Sequence, residues 1–381
     1  MIRVGFIGSF SKDWMGGLNY FKNLLYALHF YQNHKLTLIV FTGKKTDIEI
    51  KNLLKPYAKI IDDSIFDSKS LKWFLMKLEN KIFGTNFFLS NILKKYEIEI
   101  LSHSSTINLN QIKTINWIPD FQHIHLEKMF STKEVEHRNK RYLKIIKKSD
   151  LIVLSSYDSF QDFQKFSPNF KSKAKILRFV SQPNPIYDQL NESFKAKLLA
   201  KYEITSDFFY LPNQFWKHKN HMLIFKAINR LKKEGIEINV VCSGSLSDYR
   251  NNNYINEILE FIELNNLKSN IKLLGLVKYD EVFGLIKFSK AVINPSLFEG
   301  WSSTVEECKS VGKNMILSDL AVHFEQYPSA TFFKREDEKD LANILKSYKK
   351  PNNNLNIKSL ESRTKDFAET YSLICNELLN K

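Results

Sequence analysis

The chain has 381 residues, 43% hydrophobic and 25% charged, enough at about 150 residues per domain for two or three separate cores and too apolar for intrinsic disorder. Twelve glycines and nine prolines exclude a collagenous chain, and three scattered cysteines, Cys242, Cys308 and Cys375, favour neither a disulfide framework nor a zinc knuckle. The net charge of +15 is concentrated in residues 1–200, which carry 31 Lys and Arg against 18 Asp and Glu, whereas residues 201–381 carry 25 against 23.

Met1 to Gly8 reads at once as a strand, Ile2–Ile7, with no charged-then-apolar leader before it. After the strand a loop runs from Gly8 to Gly16-Gly17, with a helix expected from about Leu18. This is not a Gly-x-Gly-x-x-Gly fingerprint, so NAD is not expected here. Gly16 and Gly17 either bring a substrate close to backbone amides or simply make a turn. Further strands are expected at Leu36–Phe41, Ile98–Ser102, Ile115–Ile118, Leu151–Ser155 and Ile176–Val180. The longest clean apolar runs are of this size, far below the roughly 20 residues of a membrane helix. Between them, Lys69–Lys81 has Leu71, Leu75, Leu78 and, one turn on, Ile82 at helical spacing, with Lys69, Trp73, Lys77 and Lys81 off that stripe. Such a helix either packs its leucines onto a sheet or lies on an anionic membrane surface. No nucleic-acid-binding signature accompanies the basic half, so nucleic acid is not expected.

After the strand at Ile115–Ile118 come Asp120, His123 and His125, where a carboxylate and an imidazole can bind hydroxyls or move protons. Loop histidines satisfied by backbone groups, or a partial metal site, are the other readings. Pro183 and Pro185 mark a join, giving domains 1–183 and 184–381, each the size of one doubly wound unit. The second half repeats the scheme with strands at Phe208–Leu211, Ile238–Cys242, Ile271–Leu276, Ala291–Asn294, Met315–Ser318 and Thr331–Phe333, and helices such as Met222–Lys233 and Tyr254–Leu264. Strands alternating with helices imply an α/β protein with two parallel sheets, whose ligands bind beyond the strands' carboxyl ends.

Two such positions in the second half carry unusual residues. Gln214, Lys217, His218, Lys219, Asn220 and His221 lie between a strand and a helix, placed either for a phosphate or as a solvated basic loop. In Asn294–Gly312 a strand ends, Glu299-Gly300 turns, and a helix starts near Ser302-Ser303. The turn presents Glu299 and the first-turn amides of Ser303, Thr304 and Val305, with Glu307 farther along able to accept bonds from a vicinal diol.

These residues resemble the retaining family 4, or group 1, nucleotide-sugar glycosyltransferases of the GT-B fold. Glu299 and Glu307 match the family's Glu-x7-Glu signature, Lys219-Asn220 its second-domain Lys, Gly16-Gly17 its first Gly-Gly turn, and His123 its fourth-strand His. Trp117–His123 and Glu299–Glu307 are similar to a bacterial subgroup that assembles surface polysaccharide such as lipopolysaccharide or capsule. The resemblance implies two Rossmann-like domains facing a cleft, with the terminal helix, about 362–381, crossing back to the first. It implies a nucleoside-diphosphate sugar on the second domain: Glu307 on ribose, Glu299 on the donor sugar, and Lys219, Asn220, Gln214 and the amides at Ser303, Thr304 and Val305 around the diphosphate. His123 and Asp120 would serve the reacting sugar, Gly16 and Gly17 the acceptor, a glycan or lipid-linked glycan. Family members carry Gly-Arg where Asn213-Gln214 stand, and Gly and Pro where Ser302 and Thr304 stand. The absence of an Asp-x-Asp triplet fits metal-independent transfer without a cofactor. A cytoplasmic protein is expected, peripheral to the membrane at most. A sugar-nucleotide epimerase, a phosphorylase and a non-catalytic basic adaptor are the alternatives.

Overall fold

The computed structural model describes residues 1–8, 10, 15–105, 109, 111–248, 250–251, 253–349 and 357–380. Part of the expected glycine loop after the first strand lies outside them. Contacts divide the chain into two units: Met1–Glu127, Ser131–Ser181 and Lys358–Lys381 form one, Lys128–Phe130 and Gln182–Ile357 the other.

The first unit holds a seven-stranded parallel sheet: β1 (Ile2–Ile7), β2 (Leu36–Thr42), β3 (Lys59–Asp62), β4 (Ile100–Ser102), β5 (Lys113–Trp117), β6 (Leu151–Leu154) and β7 (Ala174–Ile176), in the order 3-2-1-4-5-6-7. The second holds six: β8 (Phe209–Leu211), β9 (Val240–Cys242), β10 (Ile271–Leu273), β11 (Val292–Asn294), β12 (Met315–Ser318) and β13 (Thr331–Phe333), in the order 10-9-8-11-12-13. Both orders reverse direction beside the unit's first strand, between β1 and β4 and between β8 and β11, which opens a crevice at the strands' carboxyl ends.

The short strands are apolar on both faces because helices cover both. In the second unit Phe209 and Leu211 join one core with the helices His221–Lys233, Tyr254–Leu264 and Glu338–Ser347. The intervening Tyr210 joins the other core, with Tyr279–Phe288 and Ser303–Ser310. The alternation follows from the two-residue period of a strand. In the first unit the helix Leu360–Leu379 packs against Met15–Gln32, and Tyr371 stacks on Phe6 of β1 with ring centroids 6.3 Å apart.

Two expectations change. The helix Leu71–Phe83 forms, but its leucine stripe does not pack onto the sheet: Leu71, Leu75, Leu78 and Ile82 are exposed. Met76 instead packs on the core, and buried Glu79 turns inward, accepting bonds from Thr85 Oγ1, Phe87 N and Phe88 N. Burial alone would raise the Glu79 carboxyl, but these three donors hold it below its usual range. A carboxylate seated on the next helix's first-turn amides satisfies donors that have no partner of their own, and it fixes which face of the helix looks in. The first helix also starts at Met15 rather than near Leu18, with Gly16 and Gly17 inside its first turn.

Gly244 follows β9 at φ +141°, and a Cβ there would stand 2.3 Å from the Asn213 carbonyl oxygen. Only glycine lets the loops after β8 and β9 approach so closely. Gly244→Ala is expected to lower stability by roughly 1–3 kcal/mol, read as an earlier urea midpoint; an unmoved midpoint contradicts this packing.

Candidate functional site

A buried polar cluster of the second unit lies where its strand order reverses. After β8 the chain turns through Lys217–Lys219 and reaches Asn220 at φ +56°, a left-handed position that Asn tolerates better than most residues. Asn220 Nδ2 donates to the Arg335 carbonyl at 3.0 Å, so this side chain ties the turn to the loop after β13. Across the reversal, β11 delivers Asn294, Ser296 and Glu299. Lys219 Nζ lies 2.6 Å from Glu299 Oε1, and both side chains are nearly closed from solvent, 14% and 10% exposed.

A charge pair so buried loses hydration on both partners and survives only with further hydrogen bonds. Here Ser296 Oγ lies 2.7 Å from Glu299 Oε1 and 2.7 Å from Asn294 Oδ1. Asn294 Nδ2 donates to Ser302 Oγ at 3.0 Å, and the Leu297 amide donates to the His218 carbonyl at 2.8 Å. Burial pushes the Glu299 carboxyl upward, but the Lys219 charge, His323 and the Lys219 and Ser296 hydrogen bonds outweigh it and bring the pKa to about 2. Glu299 is therefore ionised throughout the neutral range, an acceptor and not a proton donor.

Ser302 caps the helix Ser303–Ser310, its Oγ accepting from Val305 N at 3.4 Å. Gln326 fixes the same corner, accepting from Ser302 N at 3.1 Å and donating to Ser302 O at 2.8 Å. The helix thus starts three residues after Gly300. The Val305 amide already has the Ser302 hydroxyl; the first-turn amides of Ser303 and Thr304 lack a carbonyl one turn back and are the donors this helix offers an anion. Glu307 lies farther along that helix, with Tyr279 Oη donating to its Oε1 at 3.1 Å. Burial first, and the Glu307 charge second, push the Tyr279 phenol well above its usual range, so Tyr279 stays a donor to Glu307. Gln214 accepts from Ser245 N at 2.7 Å: its oxygen braces the loop after β9.

Several neighbours have no motif to announce them. Ser296, Asn294 and Gln326 are ordinary polar residues. His323 is buried, its Nδ1 donating to the Ser318 carbonyl at 2.9 Å, and burial first keeps its pKa below the usual value. Arg335 pairs with Asp319 at 3.1 Å; its place just after β13 was the one signal that could have singled it out. His218 and His221 beside Lys219 are buried. Burial lowers both; His218 Nδ1 lies 3.3 Å from Arg250 Nη2, and His221 stacks on Phe215 with centroids 4.0 Å apart.

In the first unit Asp120 and His123 follow β5. Asp120 Oδ1 accepts from Gln122 N at 2.9 Å, shaping the turn. His123 is fully buried; its Nε2 meets Asn139 Oδ1 at 2.9 Å, and its buried Nδ1 has no hydrogen-bond partner. Burial lowers its pKa, so it is neutral near pH 7. His125 points elsewhere, to Asp162 at 2.8 Å. The two histidines therefore do not converge on one ion, and among the described residues no three metal-ligating side chains cluster. Beside β4, unremarked in the sequence, His103 is buried between Tyr20 Oη at 2.8 Å and Ser102 Oγ at 2.7 Å, with Tyr20 stacked on Trp117 at 4.1 Å.

Residues 195–359 match the family described as Glycosyl transferases group 1. The match supports a glycosyltransferase of this group. It covers the whole candidate site of the second unit. No curated protein sequence matches the chain. Among solved structures, Anabaena Alr3699/HepE in complex with UDP and glucose is similar at 13% identity and TM-score 0.66, covering 100% of both chains. A glycosyltransferase from Rickettsia africae is similar at 16% and 0.62, over 98% of this chain and 94% of that one. The lipopolysaccharide outer core galactosyltransferase WaaB is similar at 14% and 0.56, over 99% of both. At these identities the likeness shows the fold: two Rossmann-like parallel-sheet units of GT-B type.

The depressed Glu299 pKa has a measurable consequence. A carboxyl whose folded pKa lies below its unfolded value stabilises the fold above the unfolded pKa, and that contribution is lost as pH falls through the folded one. The window runs from about 4.5 down to about 2, and the contribution is on the order of 3 kcal/mol. Glu299→Gln lacks it, so its urea midpoint is expected to change less across this window than wild type's. Parallel pH profiles contradict the assignment.

Proposed function

We propose that this chain is a retaining transferase that moves a sugar from a nucleoside-diphosphate donor to a glycan or lipid-linked glycan acceptor, in the assembly of bacterial surface polysaccharide. The observation that carries the reading is the Lys219–Glu299 pair at the β8/β11 reversal, beside the capped start of the helix Ser303–Ser310, inside the segment that matches group 1 glycosyl transferases. The UDP and glucose named for the HepE structure support a nucleotide-sugar donor.

The chemistry follows from charge. When the bond between the sugar's anomeric carbon and the diphosphate oxygen breaks, its electron pair stays on the diphosphate, which gains negative charge. The acceptor hydroxyl oxygen bonds the anomeric carbon on the same face and passes its proton to the departing diphosphate oxygen. Lys219 Nζ and the Ser303 and Thr304 amides are donors suited to that growing charge. Ionised Glu299 accepts from donor-sugar hydroxyls and holds Lys219 in place. Glu307, braced by Tyr279, accepts from the ribose diol. The first unit, with Gly16, Gly17, Asp120 and His123, receives the acceptor and the reacting sugar. Retention through same-face attack requires no protein nucleophile, and none is assigned. Lysine and amide donors make the reaction independent of metal.

A panel of nucleotide sugars screened by thermal shift identifies the donor, since a ligand bound only by the folded state raises the midpoint by mass action. With that donor, Glu299→Ala is expected to lower transfer at least about tenfold, and Lys219→Gln to weaken nucleoside-diphosphate binding by roughly tenfold or more in calorimetry. Unchanged transfer and unchanged affinity overturn the reading.

A further inference from the structure

The helix Leu71–Phe83 presents an apolar face with none of the described residues of this chain over it. At about 100° per residue, Leu71, Phe74, Leu75, Leu78 and Ile82 fall within an arc of roughly 100°, the width that ordinarily faces a core. All five are exposed, Leu71 at 74%. Phe83, Phe87 and Phe88 extend the patch onto the start of the next helix, Phe87–Lys95, and all three are exposed too. Beside them opens a hollow of about 460 Å³ lined by Phe83, Phe87, Phe88, Asn91 and Lys94 among others. Scattered exposed apolar side chains are unremarkable; a continuous run of large ones marks a surface that something covers.

Charge decides what covers it. Residues 69–95 carry six lysines (Lys69, Lys72, Lys77, Lys81, Lys94 and Lys95) and no arginine, against one acid, Glu79. That acid is buried and spent on the amides of Phe87 and Phe88. Lys77 and Lys81 border the stripe on one side, and both are exposed. Protein interfaces favour arginine and are poor in lysine. A row of large apolar side chains bordered by lysines fits the boundary of an anionic bilayer, where stems lie along the acyl region and ammonium groups stay with the phosphates.

We propose that the helix Leu71–Phe83 and the start of Phe87–Lys95 form a docking surface for an anionic phospholipid bilayer, holding the protein on the membrane face without crossing it. Among the described residues no helix is long and apolar enough to span. The proposal stands apart from sugar transfer, because lipid binding is read without any donor or acceptor.

The test is sedimentation of the full chain with vesicles of phosphatidylcholine containing phosphatidylglycerol, against vesicles of phosphatidylcholine alone. Wild type is expected to pellet with the anionic vesicles, and less so as salt rises and screens the lysines. Phe74→Glu/Leu78→Glu is expected to bind roughly tenfold or more weakly with an unchanged unfolding midpoint, since both side chains face solvent. Lys77→Glu/Lys81→Glu, which leaves the apolar stripe whole, is expected to bind roughly tenfold more weakly and to lose most of the salt dependence. Wild type that stays in the supernatant with both vesicle types overturns the proposal, as does undiminished binding by both variants. A wild-type dimer in light scattering that Phe74→Glu/Leu78→Glu converts to monomer, without vesicle binding, overturns it in favour of a second copy.

Discussion

A lysine ammonium and a carboxylate, nearly closed from water and 2.6 Å apart, sit where the strand order of the second sheet reverses, and the neighbouring architecture is arranged around their cost. Neither charge would persist there alone. Ser296 and Asn294 supply hydrogen-bonding partners from the end of β11. Ser302 and Gln326 lock the following helix start, and Asn220 takes a left-handed backbone to bring Lys219 round while tying the turn to Arg335. Gly244 allows the loop after β9 to press against Asn213. The result is a fixed positive donor and a fixed acceptor at the edge of a sheet, beside a helix terminus that favours negative charge. Such preorganisation suits a reaction in which a leaving group becomes more anionic.

Much of this was legible from residue order. β1, β12 and β13 have the expected bounds; β4, β8, β9 and β11 start one or two residues later than the apolar runs, β6 and β10 end sooner, and β2 ends one residue later. β5 and β7 are displaced toward the N-terminus, leaving Ile118 and Leu177–Val180 past the last ladder pair. A run of apolar residues reports burial, and burial continues into the turn after a strand. β3 was missed because Lys59–Asp62 has only two apolar residues and pairs on one side alone, with β2; an edge strand half open to water leaves little hydrophobic signal. Gly16-Gly17 reads as a turn because glycine is a poor helix former, yet the helix includes both.

At the site, charge and spacing exposed Lys219, Glu299 and Glu307, whose identities are chemically distinctive. Ser296, Asn294, Gln326 and His323 were not legible, because their importance lies in which loops the fold brings together. The helix Leu71–Phe83 makes the same point. Periodicity revealed an apolar face but not its direction, which was set by Glu79 turning inward to the amides of the next helix. Electrostatics thus divides along the chain. The second half concentrates a few compensated charges in one buried corner, while the first carries its surplus lysines outside, around an apolar face.

The most direct test is a crystal structure of the protein soaked with the nucleoside diphosphate that stabilises it most. The account requires the terminal phosphate within hydrogen-bond reach of Lys219 Nζ and the Ser303 and Thr304 amides, with the ribose diol on Glu307. Phosphates bound elsewhere, with the Lys219–Glu299 corner closed and untouched, would contradict it.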